Sequence, residues 1–190
     1  MVDLSTLADA AQKIPTKGLP PVHLWNPPYC GAIDMRIASD GTWFYQGTPI
    51  GRPAMVRLFS TILRKDPEQF VLVTPVERVG ITVDDAPFIA VDLQVADEPE
   101  APTLRFRTNV DDVVTASALH PIRFERQATG GLKPYVLVRG GLWAKASRSV
   151  YLELVERAST RLIEGCAMLG VESEGAFFAM APFSEIEGLT

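Results

Sequence analysis

Two stretches far apart in the chain share a pattern. "VGITVDDAPF" (79–88) and "LGVESEGAFF" (169–178) carry Gly, a β-branched residue, Ala and Phe at the same offsets. A unit written twice is the strongest single constraint on a fold, because it fixes the architecture of both halves at once. Two further anchors run in the same order. "SDGTW", ending at Trp43, matches "RGGLW", ending at Trp143, and Arg52 and Arg148 each stand just before an apolar helical stripe. The shared order is strand, tight turn, Trp strand, Arg, helix, strands.

The elements around these anchors follow from local patterning. Residues 3–13 read as a short amphipathic helix, and the Pro-rich loop up to Gly31, with Trp25 and Tyr29, reads as an arm anchored on the first half. Ile33, Met35 and Ile37 alternate with Asp34, Arg36 and Ala38, the period of a half-buried strand. Asp40–Gly41 supplies a hairpin turn. Pro53 suits a first helical position, and Met55, Leu58, Phe59 and Ile62 form the stripe of a helix ending near Asp66–Pro67. "FVLVTPV", "VGITV" and "PFIAVDLQV" read as strands. The acidic "ADEPEAP" (96–102) reads as the linker between halves. Beyond it come further strands, the Gly140–Gly141 turn, and a helix expected over 149–164 with Tyr151, Leu154, Val155, Ala158 and Leu162 inward.

The expected fold class is therefore α+β: an internal duplication of a mostly antiparallel sheet-plus-helix unit, because the connections are hairpins rather than long crossovers. The expected layout is an N-terminal helix and arm over 1–30, a first repeat over 31–96 and a second over 97–190. Each repeat is too small to cover its own sheet and helix fully. The two should pack together, and interfaces between domains favour small-molecule sites.

Composition narrows the function. A net charge of −5 argues against a general nucleic-acid binder, which needs a basic face for phosphates. No apolar run reaches the ~20 residues of a membrane helix. The opening "MVDLSTLADAAQK" lacks the charged-then-apolar pattern of an export signal. Cys30 and Cys166 are too few for a disulfide framework, so a cytoplasmic location with reduced thiols is expected.

The long strings "WNPPYCGAIDMRIASDGTWFYQGTPIGRPAMVRLFSTILRKD" and "LVTPVERVGITVDDAPF" resemble the bacterial domain-of-unknown-function 1285 family, and so do "PYVLVRGGLWAKASRSVYLELVE" and "GVESEGAFF". The likeness runs from about Gly18 to Pro182. It implies a duplicated α+β core whose second half looks like a pleckstrin-homology fold. It also implies a ligand site between the halves, for a nucleotide-like molecule, and a role in signal transduction. The family carries no established activity.

From the residues themselves, the candidate ligand-binding set is Arg52, Arg148, Asp34, Arg36, Glu77 and Tyr151. The two arginines precede helix starts, where unpaired N–H groups favour an anion and a guanidinium can add a bidentate contact. Asp34 and Arg36 share one strand face, Glu77 leaves a strand after a proline, and Tyr151 lies on a helix stripe. Trp43 and Trp143 read as core. No nucleophile–base arrangement, metal-ligand spacing or phosphate loop is present, so no catalytic residue, metal or cofactor is expected. Three functions compete: a non-enzymatic regulatory protein binding a small anion between its repeats, a protein-interaction module that could homodimerise, and a hydrolase using Asp34 or Glu77 as acid or base.

Overall fold

The computed structural model describes residues 4–12, 18–97, 102–128 and 130–185. The chain divides into two compact units: Met1–Pro87 with the Gly140–Leu142 turn, and Phe88–Arg139 with Trp143–Thr190. The first unit holds α1 (Leu4–Gln12), β1 (Tyr29–Ile37), β2 (Trp43–Tyr45), β3 (Thr48–Pro49), α2 (Pro53–Thr61), β4 (Leu63–Lys65), β5 (Phe70–Val73) and β6 (Arg78–Val83). The second begins with β7 (Phe88–Asp97), β8 (Pro102–Thr108), β9 (Val113–Thr115), β10 (Ile122–Arg126), β11 (Leu132–Arg139) and β12 (Leu142–Ala146). It continues through α3 (Arg148–Glu156), β13 (Ser159–Ile163), β14 (Cys166–Ser173) and β15 (Ala176–Pro182).

The first sheet has the order β3-β2-β1-β6-β5-β4, and the second β10-β11-β12-β7-β8-β9. If each unit's strands are counted from its own first, both read 3-2-1-6-5-4. In each, two three-stranded meanders meet along a central parallel pair made by the first and last strands, β1 with β6 and β7 with β12. The chain is thus an α+β protein with an internal duplication, antiparallel apart from those two pairs.

The duplication has a different phase from the one the anchors suggested. β1 corresponds to β7, so "SDGTW" joins the first and second strands of its unit, whereas "RGGLW" joins the fifth and sixth. "VGITVDDAPF" leads from β6 of one sheet into β7 of the other, while "LGVESEGAFF" is the β14–β15 hairpin of a separate three-stranded sheet. α2 lies in the crossover between third and fourth strands, but α3 follows the sixth. Strand–turn–strand segments resemble one another wherever they occur, because the turn chemistry is the same.

The unit boundary falls at Pro87–Phe88, ahead of the acidic stretch read as a linker. That stretch connects β7 to β8, neighbours in one sheet; residues 98–101 lie outside the described residues.

Local rules set the strand faces. On β1, Met35 and Ile37 are buried while Asp34 and Arg36 are exposed, so the alternation was legible. The helix expected over 149–164 instead ends at Glu156, and Ser159–Ile163 pairs with β14. Glu164 and Gly165, both at positive φ (49° and 83°), make the two-residue hairpin turn that pairing requires. Leu162, expected inward, is 73% exposed on this edge strand.

The third sheet packs β14 against β8 and β15 against β10, and α3 lies on β7. Buried Ser173 ties β14 to the second sheet: its hydroxyl accepts from the Leu104 N–H (2.9 Å) and donates to the Ala116 carbonyl (2.7 Å). A buried hydroxyl that both accepts and donates has its desolvation offset by the bonds it makes. In the first unit, Arg64 anchors the arm by donating to the carbonyls of Val22 (2.9 Å) and Trp25 (2.6 Å), and it pairs with Asp66. Trp25 is half-buried, while Tyr29 at the start of β1 is exposed.

Candidate functional site

The sequence sets up a cleft at the start of α3. β11 and β12 are sheet neighbours, and they carry Lys133 and Lys145. β12 runs into Ser147, whose extended backbone and hydroxyl cap the helix by accepting from the Val150 N–H (3.3 Å). Arg148 is the first helical residue and Tyr151 stands one turn on. Opposite, the turn into β11 closes when Gln127 N–H donates to the Gly131 carbonyl (3.1 Å). Gly130 and Gly131 both sit at φ +85°, a region side chains resist, and a Cβ on Gly131 would meet only the Gln127 amide.

This cleft has a volume of about 310 Å³. Three cations line it, Lys133, Lys145 and Arg148, with no carboxylate, histidine or cysteine among the described lining residues. Both lysines are half-buried and Arg148 is exposed. Glu125, opposite Lys133 across the β10–β11 ladder, is held in an ion pair with Arg123 (3.0 Å). Partial enclosure raises the effect of each cation on a bound anion, because the effective dielectric falls.

A second cavity of about 410 Å³ shares Gly131, Leu132 and Tyr151 with the first. Its further walls are apolar, from Val155, Leu169, Met180 and Ala181, and its rim carries the Arg126–Glu185 ion pair.

Of the six expected ligand residues, the structure brings together Arg148 and Tyr151 in the first cleft. The other four belong to the first unit. Arg52 occupies the N-cap position of α2 without a side-chain cap; only its carbonyl is engaged, accepting from Met55 and Val56. Arg52 and Arg148 are not equivalent positions of the duplication, since one precedes the fourth strand and the other follows the sixth. Arg36 pairs with Asp84 (2.6 Å) and lies over the Phe44 ring (4.8 Å). Asp34 is exposed on the same face. Glu77 closes a turn built on Thr74, donating its N–H to the Thr74 hydroxyl (3.2 Å). Trp43 is core, 1% exposed, but Trp143 is only half-buried, with Arg123 stacked over it at 4.2 Å.

Sequence reading missed Lys133 and Lys145. Their convergence depends on strand pairing, which spacing does not reveal. The nearest local signal is the Lys145–Ser147–Arg148 run, basic residues on either side of an N-cap serine.

These units define a class of duplicated α+β proteins. The family model described as domain of unknown function (DUF1285), N-terminal domain, matches residues 20–86, and the model for the DUF1285 C-terminal domain matches residues 87–180. The chain belongs to the DUF1285 family. It is similar to the crystal structure of a DUF1285 family protein from Silicibacter pomeroyi DSS-3 at 52% identity, with a TM-score of 0.86, covering 95% of this chain and 97% of that one. A DUF1285 family protein from Shewanella baltica OS155 matches at 27% identity and a TM-score of 0.51, over 64% of this chain and 89% of its own. No match was found among curated proteins.

Proposed function

We propose that this protein is a non-enzymatic regulatory module that binds a small anion in the cleft beside α3 of its second unit. The observation that carries the reading is the cleft's lining: three cationic side chains and, among the described residues, no carboxylate. Among the described residues the same lining offers no histidine, cysteine or carboxylate for acid–base work, and the Ser147 hydroxyl is occupied as a cap. Binding without turnover is the use such a lining suits. A nucleotide-like anion is compatible with it, because Tyr151 offers an aromatic face beside the cations.

The test is calorimetric titration of the intact protein with inorganic phosphate, AMP and a panel of carboxylates. At least one should bind, and Lys145→Ala should weaken it by roughly tenfold, the low end for a hydrogen bond to a charged group. Exposed Arg148 should matter less, because water screens it. Binding unchanged in the Lys145→Ala/Arg148→Ala double variant would place the ligand elsewhere. No binding by any of the panel would leave self-association as the better reading. One observation favours that second reading: β13 is an exposed edge strand carrying Leu162. Light scattering at rising protein concentration measures it directly.

A further inference from the structure

We infer that β13 is a self-association seam: two copies of this chain pair their β13 strands antiparallel about a twofold axis, joining the third sheet of each into one sheet of six strands. The inference is independent of the anion-binding reading, because it uses no residue of the cleft. All five residues of β13 are exposed, and the strand lies at the end of the order β13-β14-β15. Natural sheets blunt such an edge with brevity, charge, proline or cover. The other sheet edges among the described residues follow that rule. β3 has two residues, one of them Pro49, and β9 has three. β4 carries Arg64 and Lys65, β10 carries Arg123, Glu125 and Arg126, and β15 packs against β10. β13 is five residues long, has Arg161 as its one charge, and leaves Leu162 73% and Ile163 37% exposed.

The strand's own geometry selects a second copy as the occupant. Glu164–Gly165 is a two-residue hairpin turn, so Ile163 and Cys166 exchange both backbone hydrogen bonds, and Arg161 and Ser159 do likewise with their partners on β14. The backbone N–H and C=O groups of Thr160 and Leu162 therefore face the open side. Antiparallel pairing about a twofold sets residues of one face opposite each other. With Leu162 opposite the second copy's Leu162, these two exchange their outward hydrogen bonds, and Arg161 falls opposite Ile163. The neighbouring register that symmetry permits would set Arg161 against its own copy, a like-charge pair that destabilises a sheet. Arg161 also lies over the Phe177 ring of its own sheet at 5.4 Å. Its charge and that of Glu164 cancel across strand and turn, so two copies meet here without net repulsion. A strongly charged foreign strand finds no complement on such an edge.

Sedimentation velocity of the full chain at rising concentration should show a monomer–dimer equilibrium. Leu162→Lys changes an exposed position, so the fold should survive, as circular dichroism would verify. That variant should weaken the dimer at least roughly tenfold, the change corresponding to about 1.4 kcal/mol. Lys145→Ala should leave the dimer unchanged, which separates the seam from the anion cleft. Cysteine pairing reads the register in a Cys30→Ser/Cys166→Ser background, since both native thiols are exposed. Leu162→Cys should give a disulfide-linked dimer on mild oxidation, because opposed Cα atoms in a hydrogen-bonded pair lie about 5.5 Å apart, within disulfide reach. Arg161→Cys should link far less, its copy lying on the diagonal at roughly 7–8 Å. A monomer at every concentration would overturn the inference and leave the edge to a foreign strand. A dimer unmoved by Leu162→Lys, or equal linking at the two positions, would also overturn it, by placing the contact elsewhere or in another register.

Discussion

Gly80 and Gly170 look alike in sequence, yet each is glycine for its own reason. A Cβ on Gly80 would come within 2.7 Å of the Tyr29 hydroxyl, the far end of an exposed side chain that can swing aside. A Cβ on Gly170 would meet the Phe178 carbonyl oxygen and come within 2.6 Å of the Phe177 ring. Backbone yields far less than a surface phenol, and the β14–β15 register shifts at this point, between Leu169 and Gly170. We therefore expect Gly170→Ala to cost about 1–3 kcal/mol, as overpacking does. Gly80→Ala should lie within about 0.5 kcal/mol of wild type. Urea denaturation of the two variants reads the difference; equal losses would mean that the Phe177–Phe178 segment gives way as readily as Tyr29. The same residue scale accounts for Asp34, Arg36 and Glu77. Each sits where the local pattern placed it, on an exposed strand face or in a turn, and a polar group there needs no ligand to account for it.

Between α2 and α3 the difference lies in the cap. Ser147 satisfies a backbone N–H of α3 with its hydroxyl, whereas Arg52 offers α2 only its carbonyl. Ser147→Ala should thus cost about 1 kcal/mol, a drop of roughly 2–4 °C in the melting temperature of a chain this size. Arg52→Ala should shift it by less than half as much, and thermal unfolding followed by circular dichroism compares the two. A comparable loss in both would show that the Arg52 side chain supports α2 in a way its missing cap bond does not suggest. Elements such as β1, β2, α2 and the Gly140–Gly141 turn were legible because their signals are local: alternation, a helical stripe, turn residues. The end of α3 was not, because Tyr151 to Leu162 also fits a helical stripe and the competing signal, the Glu164–Gly165 turn, acts only once β14 is there to pair. Strand partners lie beyond local patterning altogether. That is why Lys133 and Lys145 escaped notice, and why the duplication was recognised but set in the wrong phase.

Across the whole molecule, the shared 3-2-1-6-5-4 order makes β7 the decisive strand of the second unit. It lies at the centre of its sheet, parallel to β12 on one side and antiparallel to β8 on the other, and α3 packs on it. Phe88, Ile89, Ala90 and Leu93 on this strand are all buried. A fragment starting at Phe88 keeps every strand of the second and third sheets; one starting at Asp97, where the sequence suggested the second repeat begins, loses all but the last residue of β7. Without it, β8 and β12 would each present an unpaired edge flanking a gap, and the apolar residues that cover α3 would be gone. Fragment 88–190 should therefore give a cooperative thermal transition and dispersed amide resonances. Fragment 97–190 should be aggregated or molten, with expanded volume and dye-binding apolar surface. Equal folding of the two fragments would show that β7 is dispensable and that the parallel pair is not what organises the unit. If 88–190 folds, its affinity for whichever anion binds the full chain should match that of the full chain, because every lining residue of the cleft lies within it.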